Sequence, residues 1–438
     1  MSLSKHNLPQ KIYLNGADCF YLVLDKHARK HQSGGNTIRI YFALESSLTS
    51  KQLSDYLNAS PLIHWFCNIR LVSGKFLQKP YWLYQDEGAV LKINEHISQT
   101  EGGIPNAILT TELSLESNEL LRADLIQFPS GKSGFVISWN HILMDGKGMG
   151  SLLQHLNHVN ELDAKSLEKY FPAEAKEPSI YKYVRNMYRV KPFIQNSART
   201  PVFSLQKPDK SATNSSQSFS IDFTREQTQQ IAENATAAGA KFGINMFLMA
   251  NCAKCLWELD DQGRIPGDIW FPLPYNGRLR GKSDAVISNN ILFHFYRLQG
   301  NKSKAVSEII KDLNEQMQNQ MRINMPASYN RLLDMMRYIP MRLYYFLVNY
   351  SQRGVFSSFL YTLTGENLQH MKHIFGMPIC DIRLFSPHTN PPGLTFCYYR
   401  FDNCLRLNLI YDRKTISDEK FDLFKSILLK NLLSPSGQ

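Results

Sequence analysis

The alternation of apolar and polar positions changes period along the chain, and each change predicts an element. In Gly134 to Asn140, Phe135, Ile137 and Trp139 point one way and Val136, Ser138 and Asn140 the other, a strand pattern. With the apolar stretch Leu120 to Phe128 before it and Pro129-Ser130-Gly131-Lys132-Ser133 between, it predicts a hairpin. From Gly148 to Leu156 the period lengthens, and Leu152, Leu153 and Leu156 share one helical face. Nearer the N-terminus, Asn36 to Leu44 is strand-like and Thr49 to Ala59 helical, with strands expected over 65–72, 81–84 and 90–93. In the second half a strand over 218–223 precedes helices from Thr224 to about Gly239 and from Asn245 to Leu259. Strands over 268–275 and 290–298 lead to helices over 303–321 and from about 328 to 350. Three strands (379–385, 394–401, 405–411) and a helix capped by Ser417 close the chain.

Strands and helices are mixed in both halves, so the fold class is α/β (α+β). Residues 170–215 carry Pro172, Pro178, Pro192, Pro201 and Pro208 and then a polar run from Asp209 to Gln217, which predicts a connection between lobes. The division expected is 1–180, a linker over 181–215, and 216–438. Length agrees, because 438 residues exceed what one hydrophobic core usually organises. A hydrophobic fraction of 43% and a charged fraction of 20% are globular values. No apolar run reaches the roughly 20 residues of a spanning helix, and residues 1–10 lack the apolar core of a secretory signal. A cytoplasmic protein is expected.

Seven scattered cysteines fit free thiols better than a disulfide framework. Cys252 and Cys255 lie inside an apolar helical pattern without a second ligand pair, so buried structural thiols are expected and no metal. His155 and His158 lack grouped carboxylates and read as a solvated helix face. The net charge of +11 favours anionic partners, yet no block of basic residues resembles a nucleic-acid-binding arm. Met321 to Arg353 mixes five arginines with Met, Leu, Tyr and Phe. A core-packed helix with a basic outer face is the first reading. The second is a surface for a membrane, a lipid substrate, an acidic acyl carrier protein or the phosphates of CoA.

The hairpin ends in a chemically suggestive run: Asn140-His141-Ile142-Leu143-Met144-Asp145-Gly146. A histidine at a strand end can face a cleft, and imidazole is suited to proton abstraction near neutral pH. Asp145 can orient the loop, and Gly146 can permit the backbone to turn into the helix. Gly146, Gly148 and Gly150 do not match a dinucleotide loop, and no Gly-x-Ser-x-Gly elbow is present.

The His-x-x-x-Asp-Gly pattern of His141, Asp145 and Gly146 resembles that of the CoA-dependent acyltransferase superfamily. That group includes chloramphenicol acetyltransferase, the BAHD and alcohol acetyltransferases, wax ester synthases and the condensation domains of peptide synthetases. Condensation domains often carry a second histidine where Asn140 stands. Asn276-Gly277-Arg278-Leu279-Arg280 with Ile287-Ser288-Asn289-Asn290 resembles a further family segment, as does Tyr361-Thr362-Leu363-Thr364-Gly365, with departures at Ser288 or Asn289 and at Leu363. The resemblance implies two chloramphenicol-acetyltransferase-like lobes with an active-site tunnel between them. It implies His141 as general base, Asp145 as a structural partner of Arg278, and the Thr362 hydroxyl as an oxyanion donor. No bound cofactor is expected. Acyl-CoA or a phosphopantetheine thioester on a carrier protein would be the donor, and a small molecule or lipid the acceptor, on a monomeric protein. Two other functions compete: an amide-forming condensation-type domain acting in trans on carrier-bound substrates, and a non-catalytic module that only binds a carrier or partner.

Overall fold

The computed structural model describes residues 8–31, 35–158, 164–173, 179–205, 216–259, 267–278, 285–351, 353–364, 368–389, 391–413 and 416–434. Leu279, Arg280, Gly365, Pro178, Pro208 and the polar run 209–215 lie outside them. None of the described helices is long and apolar enough to cross a membrane.

Two mixed sheets dominate, each flanked by helices. The larger has six strands in the order His373–Ile374, Met377–Phe385, Thr37–Leu44, Ser133–Asn140, Leu121–Gln127 and Ile93–Ile97. The hairpin predicted around residue 131 is its centre, with Leu121 opposite Trp139. Every residue of Ser133–Asn140 is buried, because both faces are covered. Phe135, Ile137 and Trp139 enter the main core, and Val136 joins Tyr41, Ile126 and Phe128 on the other side. The second sheet runs Leu360–Thr364, Leu394–Phe401, Cys404–Asp412 and Ser216–Asp222, with a separate antiparallel pair, Ile269–Asn276 and Ile291–Leu298. It packs on the nearly all-buried helix Ile244–Leu259, where Cys252 and Cys255 are core thiols.

The sheets do not follow a single cut in the chain. Met377–Phe385 hydrogen-bonds antiparallel to Thr37–Leu44, so a late segment completes the sheet begun by the first residues. Residues 181–199, read from sequence as linker, belong to a 20-residue helix, Ile180–Arg199. Pro192 does not break it, because Val190 is buried and the Phe193 ring packs on Trp270 and Phe295. The strand expected over 65–72 is split. Ser60 caps and Pro61 starts a short helix, Pro61–Cys67, and only Ile69–Val72 is extended. The helix expected over 328–350 is two, Met325–Met336 and Met341–Ser351, separated before Pro340 can disrupt either. The helix Gly16–Lys30, not anticipated, opens with a capping box between Asn15 and Asp18. His155 is buried against the Ser60 hydroxyl at 3.0 Å rather than solvated, while His158 is exposed.

Candidate active site

The strand Ser133–Asn140 delivers the chain to the junction of the sheets, and three contacts set the turn that follows. The His141 N–H donates to the Asn36 carbonyl at 2.8 Å, the Leu143 N–H to the Asn140 carbonyl at 2.9 Å, and the Trp139 indole N–H to the Met144 carbonyl at 3.0 Å. Asn140 is fully buried beneath this turn, where its Oδ1 accepts the Ile142 N–H at 3.1 Å. It shapes the loop and does not line the cavity. Its Nδ2 has no partner among the described residues.

His141 is partly buried, with Tyr21 stacked on its ring at 3.8 Å between centroids. Its Nδ1 lies 3.1 Å from Oδ1 of Asn289. An amide oxygen only accepts, so Nδ1 carries the proton and Nε2 keeps its lone pair. Burial lowers the His141 pKa to about 4, outweighing the pull of Asp145 and of the Asn289 contact in the other direction. At neutral pH the ring is therefore uncharged, the form a proton acceptor requires.

Asn289 is wholly buried and binds on every side. Its Nδ2 donates to the His141 carbonyl (2.7 Å), the Ile142 carbonyl (3.1 Å) and Asp18 Oδ1 (2.9 Å), and its own carbonyl accepts from Asn15 Nδ2 at 2.6 Å. Asp18 in turn accepts the Asn15 N–H at 2.8 Å. Burial raises its carboxyl to about 7, against the opposing hydrogen bonds. Asp18, Asn289 and His141 thus form one buried network joining the first helix to the second half of the chain. Sequence reasoning treated Asn289 only as part of a family segment and did not single out Asp18.

Asp145 is engaged by other partners. Its Oδ2 accepts from Arg278 Nη1 at 2.8 Å and its Oδ1 from Nη2 at 2.9 Å, a two-point pair with the guanidinium fully buried. The same carboxylate caps the helix Gly146–Asn157 through Gly148 N–H (2.7 Å) and takes the Asn290 N–H (2.9 Å). Arg278 also donates to the Val286 and Ser288 carbonyls. Gly146 is the first helical residue and has no left-handed backbone, contrary to the expectation of a conformational role. Space is tight instead: a Cβ there would lie 3.1 Å from the Thr364 hydroxyl, which would have to give way slightly.

These groups surround a cavity of about 610 Å³ between the two sheets, within the range of small-molecule sites. Its lining includes His141, Trp139, Asp145, Gly146, Tyr275, Arg278, Thr362, Thr364 and Arg400. Thr362 and Thr364 alternate with the buried Tyr361 on an edge strand and share its cavity face. All six residues singled out in the sequence lie in or beside this region, five lining the cavity and Asn140 supporting it.

No family model matches the sequence, and no curated protein matches it. Solved structures do match in fold. The first condensation domain of the calcium-dependent antibiotic synthetase aligns over 98% of this chain and 98% of its own, at 15% identity and a TM-score of 0.65. The trichothecene 15-O-acetyltransferase from Fusarium sporotrichioides aligns over 97% and 95%, at 12% identity and a TM-score of 0.67. The starter condensation domain of the rhizomide synthetase, in complex with C8-CoA and Leu-SNAC, aligns over 98% and 95%, at 13% identity and a TM-score of 0.63. The chain therefore has the two-lobed fold shared by condensation domains and chloramphenicol-acetyltransferase-like acyltransferases.

Proposed function

We propose that the protein transfers an acyl group from a thioester, acyl-CoA or a carrier-bound phosphopantetheine, directly to a hydroxyl or amine. The observation that carries this reading is the Asn289 contact that leaves Nε2 of His141 unprotonated beside the cavity. The acceptor O–H or N–H gives its proton to Nε2 as its oxygen or nitrogen bonds to the thioester carbon. The carbonyl electron pair moves onto oxygen, where the Thr362 hydroxyl is the proposed donor. Such a donor is typically worth about 3–4 kcal/mol. Collapse breaks the C–S bond, and the thiolate recovers the proton from Nε2. Asp145 takes no part in proton transfer, since Arg278 and two backbone N–H groups occupy its oxygens.

Amide formation by a condensation-type domain acting in trans is the second reading, favoured by the condensation domains among the matched structures. Mass spectrometry of the protein incubated with acyl-CoA and acyl-carrier donors and paired alcohol and amine acceptors distinguishes ester from amide. His141→Ala is expected to abolish product while leaving the fold intact. Near wild-type turnover in that variant would remove the general base from the mechanism. Carrier binding without product from any donor would favour a non-catalytic module.

A further inference from the structure

The helix Met341–Ser351 presents two opposite apolar faces. Tyr344 and Tyr345 are buried toward the first helix, the Tyr345 ring facing that of His27. On the other side Leu343, Phe346, Leu347 and Tyr350 form an i, i+3, i+4, i+7 stripe that no part of the described chain covers, with Phe346 58% and Tyr350 76% exposed. A fold that needed only a core helix would place polar residues there.

The exposure continues beyond this helix. Phe76 and Leu77, 65% and 67% exposed, form the tip between the strands Ile69–Val72 and Tyr81–Tyr84. The Leu77 N–H is held by the Tyr338 carbonyl at 2.8 Å, just before the helix begins. Lys75 and Lys79 flank the tip.

The charge is of one sign. Residues 73–80 contain no Asp or Glu and two lysines; residues 335–365 contain no Asp or Glu and three arginines. Bulky apolar groups protruding from an acid-free, cationic surface match the requirements of an interfacial membrane contact, with rings and aliphatic side chains entering the headgroup boundary and cations meeting lipid phosphates. An acidic protein would satisfy the charge but would not explain the lysine-flanked apolar tip.

We propose that this face, built from the helix Met341–Ser351 and the 75–79 tip, docks the protein on an anionic lipid bilayer. The test is co-sedimentation of the full chain with vesicles of phosphatidylcholine alone or mixed with phosphatidylglycerol. Binding is expected only to the anionic vesicles, weakening as salt rises. Phe346→Glu with Leu347→Glu, and separately Phe76→Glu, should abolish it with unfolding temperature unchanged. Lys75→Gln and Arg342→Gln should each weaken it about fivefold. Ile97→Glu, at an exposed apolar site on an edge strand of the six-stranded sheet, should not alter it. Failure of the wild-type chain to bind anionic vesicles overturns the proposal, as does binding that survives Phe346→Glu with Leu347→Glu. Binding of an acidic carrier protein, and not vesicles, through these residues would assign the face to that partner instead. Acyl transfer with water-soluble substrates is unaffected by these variants, so the docking surface and the transferase reading fail independently.

Discussion

Replacing Asn289 by Leu isolates the buried network that orients His141. The substitution roughly keeps the volume and removes both polar ends. Three acceptors lose their donor: the His141 carbonyl, the Ile142 carbonyl and Asp18 Oδ1. At about 1 kcal/mol each, unfolding should cost ~3 kcal/mol less than in the wild type. The catalytic effect is separate. Loss of the Nδ1 contact, worth about 1–1.5 kcal/mol, lowers kcat about tenfold through orientation alone. A ring that moves its proton to Nε2 would lose far more, toward the ~10⁴-fold seen when a catalytic histidine adopts the wrong tautomer. KM should change little, because Asn289 does not line the cavity. Steady-state kinetics at saturating donor, urea unfolding and nitrogen NMR of the imidazole read the three quantities. A variant destabilised as stated but with kcat within about twofold of wild type would refute the orienting role.

Arg278→Met leaves the Asp145 carboxylate buried without its two-point partner and should cost about 3–5 kcal/mol in urea unfolding; a loss below ~1 kcal/mol would mean the pair is solvated. Gly146→Ala should lower the unfolding temperature and activity modestly because its Cβ meets the Thr364 hydroxyl, and adding Thr364→Ala should recover stability. Failure of that recovery would point to backbone conformation instead. For kcat/KM, the acid limb should fall near pH 4 and not near 6.5, since burial lowers the His141 pKa to about 4. Stability should also decline as pH falls from about 6.5 toward 4. His27 (about 3), His155 and His388 (both about 4) are likewise lowered by burial, so the unfolded chain binds protons that the folded one refuses. Asp18, raised to about 7, runs the other way, its contribution present in acid and lost as pH rises through 7. Equal unfolding midpoints at pH 7 and pH 5 would contradict the balance.

The turn at His141 is legible in sequence because strand, motif and helix are contiguous and each has its own period. The pairing of Asp145 with Arg278 spans 133 positions and becomes an expectation only through family resemblance. Asn289 and Asp18 escaped for a related reason. Their roles rest on contacts 148 and 271 residues apart, and nothing local separates Asn289 from its polar neighbours Ser288 and Asn290. The helix Ile180–Arg199 was hidden by Pro192 and the prolines that flank it, since its stability comes from Val190 and Phe193 packing on distant residues. Gly146 shows the limit of residue-type reasoning: glycine suggests backbone freedom, whereas the neighbouring Thr364 makes it a matter of volume.

The strand Met377–Phe385 sets an order on synthesis. Until the ribosome has passed these residues, Thr37–Leu44 has only one neighbour, Ser133–Asn140, and its other edge is open. An unpaired edge of apolar, β-branched residues is a template for pairing with other chains. A message truncated just before this strand should therefore yield not a half-active lobe but an aggregation-prone nascent chain, and chaperone dependence should peak late in translation.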